Sequence, residues 1–397
     1  MAPARHRHRT RHRLALPLSL LLVLSWAVAA SSPATAAAGS ATATAPAGIT
    51  VDGKNLLRDG HAFTPLGFSL VGLLTPPGCR KGNAGAHHLN QTEMNVAKKG
   101  WHANTLRFQV SYTGLTGYDA AERAQYLSQI KAAVELARTP GNDFAVILSL
   151  QDQPISCGTS RVLPPVGALG VWRTLAGVFN NWPYVMFELW NEPDNDAASG
   201  RLSRSDPLYA QRQSWPDWLD GRSTAIAPNR TKAPHWAPYI PTGHQQLVNA
   251  IRATGAKNVV MADGAAKGEH LDGLPLLSDP LANDQIAYAT HMYYFQTGRA
   301  DWDHRFGYLA ATKPVMMTEW DFDCSGAKAA RQRATAPEFL AYLTEKHVGM
   351  TAWSLDVMDT LISDWNYTPT SATNCREKSG GLTVKNYFAS FAGASQA

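Results

Sequence analysis

Two glutamates stand apart from the other acidic residues of this 397-residue chain because each closes an apolar run: Glu192 in Leu189-Trp-Asn-Glu-Pro193 and Glu319 in Met317-Thr-Glu-Trp320. A pair of carboxyl groups, one kept protonated and one ionised, is the equipment for acid-assisted displacement at an acetal carbon. One hands a proton to the departing oxygen while the other attacks the carbon or activates a water. Other chemistry-bearing side chains recur at the ends of other apolar runs: Arg107, Asn191, His291, Tyr293 and Trp353. Arg107 is suited to hold Glu319 ionised, Tyr293 to donate to it, and Asn191 to hydrogen-bond a substrate hydroxyl. Singly, each has a plain structural reading, as a solvated cap, a satisfied core histidine or an ion pair closing the fold. Packing alone does not account for the joint arrangement.

The elements that must position these groups follow from the apolar pattern. Eight short runs read as buried parallel strands: Phe63 to Leu70, Ala103 to Val110, Phe144 to Leu150, Tyr184 to Trp190, Asn258 to Ala262, Ile286 to Met292, Pro314 to Thr318 and Gly349 to Ser354. Amphipathic segments separate them. The clearest is Asp119 to Arg138, opened by an Asp119/Glu122 capping box, and Thr335-Ala-Pro-Glu338 reads as the start of another. Eight strands alternating with helices predict an α/β fold, a (β/α)8 TIM barrel, whose strand C-termini carry the reacting groups. An open doubly wound sheet is the alternative, but no glycine-rich phosphate loop follows the first strand. A short N-terminal β-hairpin is expected over Ile49 to Phe63, with turns at Asp52-Gly53 and Asp59-Gly60. The long connection from Pro193 to Pro241 carries Trp215, Trp218 and Trp236. With Trp302, Trp320 and Trp365 these are candidates for stacking on sugar rings, two or three of them lining a cleft and the rest core.

The first 13 residues hold five arginines, and an apolar run from Leu14 to Ala30 leads to Ala34-Thr-Ala36. Residues 1–38 therefore read as a signal peptide, 39–48 as an Ala/Thr/Pro linker and 49–397 as the catalytic domain, although an uncleaved membrane anchor is the competing reading. Those five arginines equal the whole formal net charge of +5, so the mature chain is near neutral. Its charge offers no case for nucleic acid or an anionic membrane, and a neutral polysaccharide or oligosaccharide suits it better. We expect a secreted, extracellular monomer that leaves the membrane behind with its signal. Four cysteines without zinc-site spacing predict two disulfides in an exported chain. Cys79 and Cys157 fall in loops after the first and third strands, Cys324 and Cys375 after the seventh and eighth, which predicts those two pairs. No metal motif appears, no cofactor is required, and a serine esterase is disfavoured because Gly-x-Ser-x-Gly is missing.

The ordered set Asn104-Thr-Leu-Arg107, Leu189-Trp-Asn-Glu-Pro193, His291-Met-Tyr293, Met317-Thr-Glu-Trp320 and Ala352-Trp353 resembles glycoside hydrolase family 5, the cellulase family of a clan of barrel-fold retaining glycosidases. The resemblance implies Glu192 as acid/base, Glu319 as nucleophile and Asn191 as the 2-hydroxyl contact. It makes Arg107 and Tyr293 the nucleophile's neighbours, His291 a substrate contact and Trp353 the platform under the cleaved sugar. Where the family commonly has a histidine after the third strand, this chain reads Leu150-Gln-Asp-Gln153, so Gln151 stands in that place and the usual glucan contact there is unmatched. The implied activity is a retaining endo-β-1,4-glucanase, with β-mannanase or β-galactanase as rivals and a non-catalytic carbohydrate-binding barrel as a different class.

Overall fold

The computed structural model describes residues 47–77, 79, 89–153, 157–159, 161–194, 215–226, 237–281 and 283–394. The expected signal peptide and almost all of the expected linker fall outside these residues, as does Trp236. Three short antiparallel strands come first: β1 (Ile49–Asp52), β2 (Asn55–Arg58) and β3 (His61–Ala62). At the second expected turn Asp59 and Gly60, at φ 54° and 80°, send the chain back against β2, so the expected hairpin carries a third, two-residue strand.

Eight parallel strands then close into a barrel: β4 (Leu66–Leu70), β5 (Thr105–Ser111), β6 (Ala145–Gln151), β7 (Val185–Glu188), β8 (Val260–Asp263), β9 (Ile286–Thr290), β10 (Val315–Met317) and β11 (Gly349–Trp353), with β11 pairing back on β4. Each lies within one of the eight predicted runs or overlaps all but an end residue of it. The period-two pleat sorts their side chains. Outward positions such as Phe68, Leu106, Phe108, Leu148, Phe187 and Tyr288 join the main apolar core under the helices. Inward positions change character with height. Ala145, Ile147, Met186, Met261, Ala287 and Met316 make a separate apolar plug at one end, sealed by Ile49 and Leu56 of the N-terminal sheet. Higher up, the same inward columns continue as Ser69, Arg107, Gln109, Ser149, Gln151, Glu188, Asp263 and Thr318, all buried.

The capping box opens the helix Ala120–Arg138 as expected, Asp119 accepting from the Glu122 amide while Glu122 accepts from the Asp119 amide. The expected helix start at Thr335 is corrected. One helix runs from Gly326 to Glu345 with Pro337 inside it. Proline removes one backbone donor, but Ala336, Phe339, Leu340 and Leu343 still bury one face, so tertiary packing carries the helix through. The predicted disulfides Cys79–Cys157 and Cys324–Cys375 both form, each with a Cα–Cα distance of 5.8 Å. They tie the loops after β4 and β6, and those after β10 and β11. Among the described residues no helix is long and apolar enough to cross a membrane.

Candidate active site

The polar inward layer converges on Arg107, which is fully buried near the middle of β5. Its fork holds Glu188 of β7 bidentately, Nε to Oε2 at 2.5 Å and Nη2 to Oε1 at 2.8 Å. Nη1 donates to Glu319 Oε1 at 2.8 Å and to Ser69 Oγ at 3.0 Å, while Nη2 also reaches Ser149 Oγ at 2.9 Å and Asn191 Oδ1 at 2.6 Å. Burial works against a charged guanidinium, but Glu188 and Glu319 hold it charged well above the usual arginine range. Burial likewise opposes charge on Glu188, yet Arg107 brings that carboxyl down to about 2. Asp263 goes the other way. Burial and the neighbouring Glu188 push it well above the usual carboxylate range, so of these two acids one is ionised and one is neutral.

Glu319 receives three donors: Arg107 Nη1 and Gln109 Nε2 on Oε1 at 2.8 and 2.7 Å, and the Tyr293 hydroxyl on Oε2 at 3.1 Å. Burial pushes its carboxyl up, and Glu192 adds to this against His291 and Arg107. Even so, three directed donors converge on this carboxyl group and one of them is the charged Arg107 guanidinium, which favours the ionised form, and we place the charge there. Tyr293 itself, raised by burial and by Glu319, stays a donor.

Glu192 is built differently. Its φ is 53°, a left-handed conformation that costs a non-glycine residue roughly 1–2 kcal/mol. Pro193 follows it and disfavours the right-handed helical region, and the Glu192 amide is pinned to Asp263 Oδ2 at 2.9 Å. Behind Asp263, the buried Trp218 donates from Nε1 to the Asp263 carbonyl at 2.9 Å and stacks on His244 at 4.2 Å. The Glu192 side chain meets His291 Nδ1 at 3.3 Å and Gln153 Nε2 at 3.4 Å. Thr318 gives its one hydroxyl proton to Glu188 at 3.2 Å, so it accepts from His291 Nε2 at 2.9 Å and fixes a proton there. His291 Nδ1 then either faces a Glu192 carboxylate with a second proton or accepts from a protonated Glu192. Both descriptions hold one proton between the two residues. Burial opposes charge on Glu192, and the hydrogen bond with His291 outweighs it and draws the Glu192 carboxyl down. The expectation of a proton on Glu192 alone is therefore revised to a proton shared with His291.

A carboxylate oxygen of Glu192, one of Glu319 and a ring nitrogen of His291 all lie within 4.8 Å of one another. Of these three, Glu192 lines a cleft of about 330 Å³, together with Lys267, Tyr293, Tyr294, Lys328 and Trp353. This triad and the Glu188, Asp263 and His291 group have donor spacings a cation would accept. Arg107, Gln109 and Tyr293 already donate to the Glu188 and Glu319 carboxylates of these groups. A groove of about 710 Å³ lies at the opposite end beside β1, Asn258 and Gln285, with no acid pair in its lining.

Every predicted site residue falls in or beside this cluster. Gln151 is buried at the end of β6, and its Oε1 accepts from no described residue, whereas Gln153, two residues on, is the one that reaches Glu192. Sequence reasoning passed over Glu188, Gln109, Asp263 and Thr318. A charge inside the run Tyr184 to Trp190 was the available signal for the first. Of the stacking candidates, Trp218, Trp302 and Trp320 are core, Trp215 is partly buried and Trp365 is exposed.

Solved structures share this fold. A β-glucanase from Saccharophagus degradans in complex with cellotetraose is 20% identical, covering 86% of this chain and 93% of its own, with a TM-score of 0.58. The catalytic domain of Thermobifida fusca endoglucanase Cel5A is 15% identical over 86% of this chain and 97% of its own, at a TM-score of 0.56. Endo-glycoceramidase II from Rhodococcus sp. is 16% identical over 78% and 75%, at 0.53. Residues 67–359, most of the chain, match the family described as Cellulase (glycosyl hydrolase family 5), and the chain belongs to that family.

Proposed function

We propose that the protein is a secreted retaining glycoside hydrolase that cleaves internal β-1,4-glucan-like linkages, with Glu319 as nucleophile and Glu192 as acid/base. The observation that carries this is the asymmetry of the pair. Glu319 is clamped as an anion by Arg107, Gln109 and Tyr293, while Glu192, within 4.8 Å of it, shares a proton with His291. In the first step Glu319 attacks the anomeric carbon and the departing oxygen takes the proton held at Glu192. A glycosyl ester on Glu319 results. Glu192, now a carboxylate, then removes a proton from water, which attacks the same carbon and releases Glu319. Two inversions retain configuration. The spacing favours this route, since inverting pairs stand roughly 6.5–9.5 Å apart to admit a water and retaining pairs about 5–5.5 Å.

The substrate class rests on the family and on relatives whose structures carry cellotetraose. Export is supported by the arginine-led apolar leader and by two disulfides, which persist in oxidising compartments. The test is reducing-sugar release from cellulose, barley glucan, mannan, xylan, galactan and laminarin, followed by proton NMR of the first product. Release from the β-1,4-glucans with the β anomer appearing first is expected. Preference for mannan or galactan would move the substrate, and an initial α anomer would overturn the roles of the two glutamates.

A further inference from the structure

Gln109 stands one pleat above Arg107 on β5, facing the same way, and is fully buried. Its amide has a fixed orientation. An ionised Glu319 can only accept, so the group 2.7 Å from Glu319 Oε1 is the Gln109 NH2 and not its carbonyl. Two consequences follow. Glu319 Oε1, already bonded by Arg107 Nη1 at 2.8 Å, now has both in-plane lone pairs engaged, which leaves Oε2, held by Tyr293 at 3.1 Å, as the attacking oxygen. The second is that Gln109 Oε1 is buried and accepts a hydrogen bond from no described residue.

The neighbouring strand repeats the pattern. In the β5–β6 register Gln109 pairs with Ser149 and Ser111 with Gln151, so Gln151 lies on the same inward face one pleat higher, and its Oε1 also lacks a donor. A buried acceptor without a donor weakens the fold, and a ligand that supplies the missing donor is one reason for a protein to keep it. The ligand that reaches Glu319 is a sugar ring, whose exposed donors are hydroxyl groups.

We propose that Gln109 is a specificity-determining residue: its Oε1 accepts a hydroxyl of the sugar whose anomeric carbon Glu319 attacks, while its Nε2 holds the nucleophile's other oxygen. The amide thereby couples recognition of that hydroxyl to the aim of Glu319. Sugars lacking the hydroxyl, or carrying it acylated, meet an acceptor that stays unpaired. This inference rests on Glu319 being the nucleophile.

The experiment uses purified wild type and the variants Gln109→Leu and Gln109→Glu on the 2,4-dinitrophenyl β-glycoside of the sugar identified by the polysaccharide panel, the β-cellobioside for a glucanase. Each is compared with analogues singly deoxygenated on the ring next to the leaving group. Wild type is expected to lose roughly 10- to 100-fold in kcat/KM on one deoxy analogue. Gln109→Leu removes both contacts, so it should lose at least that factor on the parent glycoside and nothing further on that analogue, with a melting temperature little changed because the lost bond to Glu319 and the removed unpaired acceptor oppose each other. Gln109→Glu keeps an acceptor and should keep the discrimination, with the acidic limb of its pH profile moved upward by the second carboxylate beside Glu319. Equal losses for Gln109→Leu on every analogue, together with a lowered melting temperature, would mean a purely structural amide and overturn the proposal. If Gln109→Leu does not fold, absence of deoxy discrimination in wild type and Gln109→Glu overturns it equally. A wild type inactive on every substrate would instead refute the catalytic reading itself.

Discussion

Replacing Arg107 by lysine keeps the positive charge at the centre of the barrel and removes its geometry, so it separates two roles that other substitutions confound. Arg107 makes six hydrogen bonds, to Glu188 twice, Glu319, Asn191, Ser69 and Ser149. An ammonium offers three donors and no planar fork. At least three acceptors thus lose their donor in a region closed to bulk water. At roughly 1–3 kcal/mol for each unsatisfied buried group, partly offset by relaxation and by entering water, the expected loss is about 3–5 kcal/mol. Unfolding entropy of about 2.1 cal/mol/K per residue over some 350 residues converts this to a melting temperature lower by roughly 4–7 °C. Glu319 also loses its charge-assisted bond at 2.8 Å, which should cut kcat/KM on the order of 10- to 100-fold. Differential scanning fluorimetry and steady-state kinetics on the same preparation read both numbers. An Arg107→Lys protein melting within a degree of wild type with full activity would show that charge alone matters there, and the clamp argument would fail.

Glu319→Gln should keep the fold and lose more than ~10⁴-fold in turnover, because the amide is nearly isosteric but cannot form the ester; substantial residual hydrolysis would exclude it as nucleophile. Glu93 is buried with no described partner on either oxygen, and burial together with Asp356 raises its carboxyl to about 9. Its pKa is raised on folding, so its contribution to stability is present below about 4.5 and is lost as pH rises toward about 9, by at most ~1.4 kcal/mol per pH unit. Glu93→Gln should accordingly raise the melting temperature at pH 8 and change it far less at pH 5, and equal effects at both would contradict this. Serine replacement of Cys79 and Cys157 together should lower the melting temperature, by about 2–5 kcal/mol of stability, with kcat on an aryl glycoside nearly retained; a larger loss of kcat than of stability would place that loop in the chemistry.

Much of this site is readable before any coordinates because a barrel strand is buried on both faces, so a polar residue at its C-terminal end has few structural reasons to be there. Asn191, Glu192, His291, Tyr293 and Glu319 announce themselves that way, and Arg107, near the middle of β5, does so as a charge inside an apolar run. Gln109, Glu188 and Asp263 do not, since each sits at an inward position within or at the edge of a run whose average is apolar, and only the barrel register shows that these positions share one layer. Charge pairing was equally hidden. One arginine serving two glutamates depends on β5 lying between the columns that carry Glu188 and Glu319, which no local pattern specifies. The tryptophans misled for a related reason. Trp218 and Trp320 look like cleft residues beside polar neighbours, but each is fully buried, Trp218 beneath Asp263 and Trp320 among Phe295, Phe322 and Phe339. At Pro337 the local signal for a helix start was real, and burial along Gly326–Glu345 overrode it.

The account stands most directly on which carboxylate forms the covalent bond. Incubating the enzyme with 2,4-dinitrophenyl 2-deoxy-2-fluoro-β-cellobioside slows both steps, the second more, and lets the ester accumulate for peptide mass mapping. A single cellobiosyl adduct on the peptide containing Glu319, absent from Glu319→Gln and present in Glu192→Gln, is the predicted result. An adduct on Glu192, or turnover of natural substrate with no adduct and an inverted first product, would contradict it.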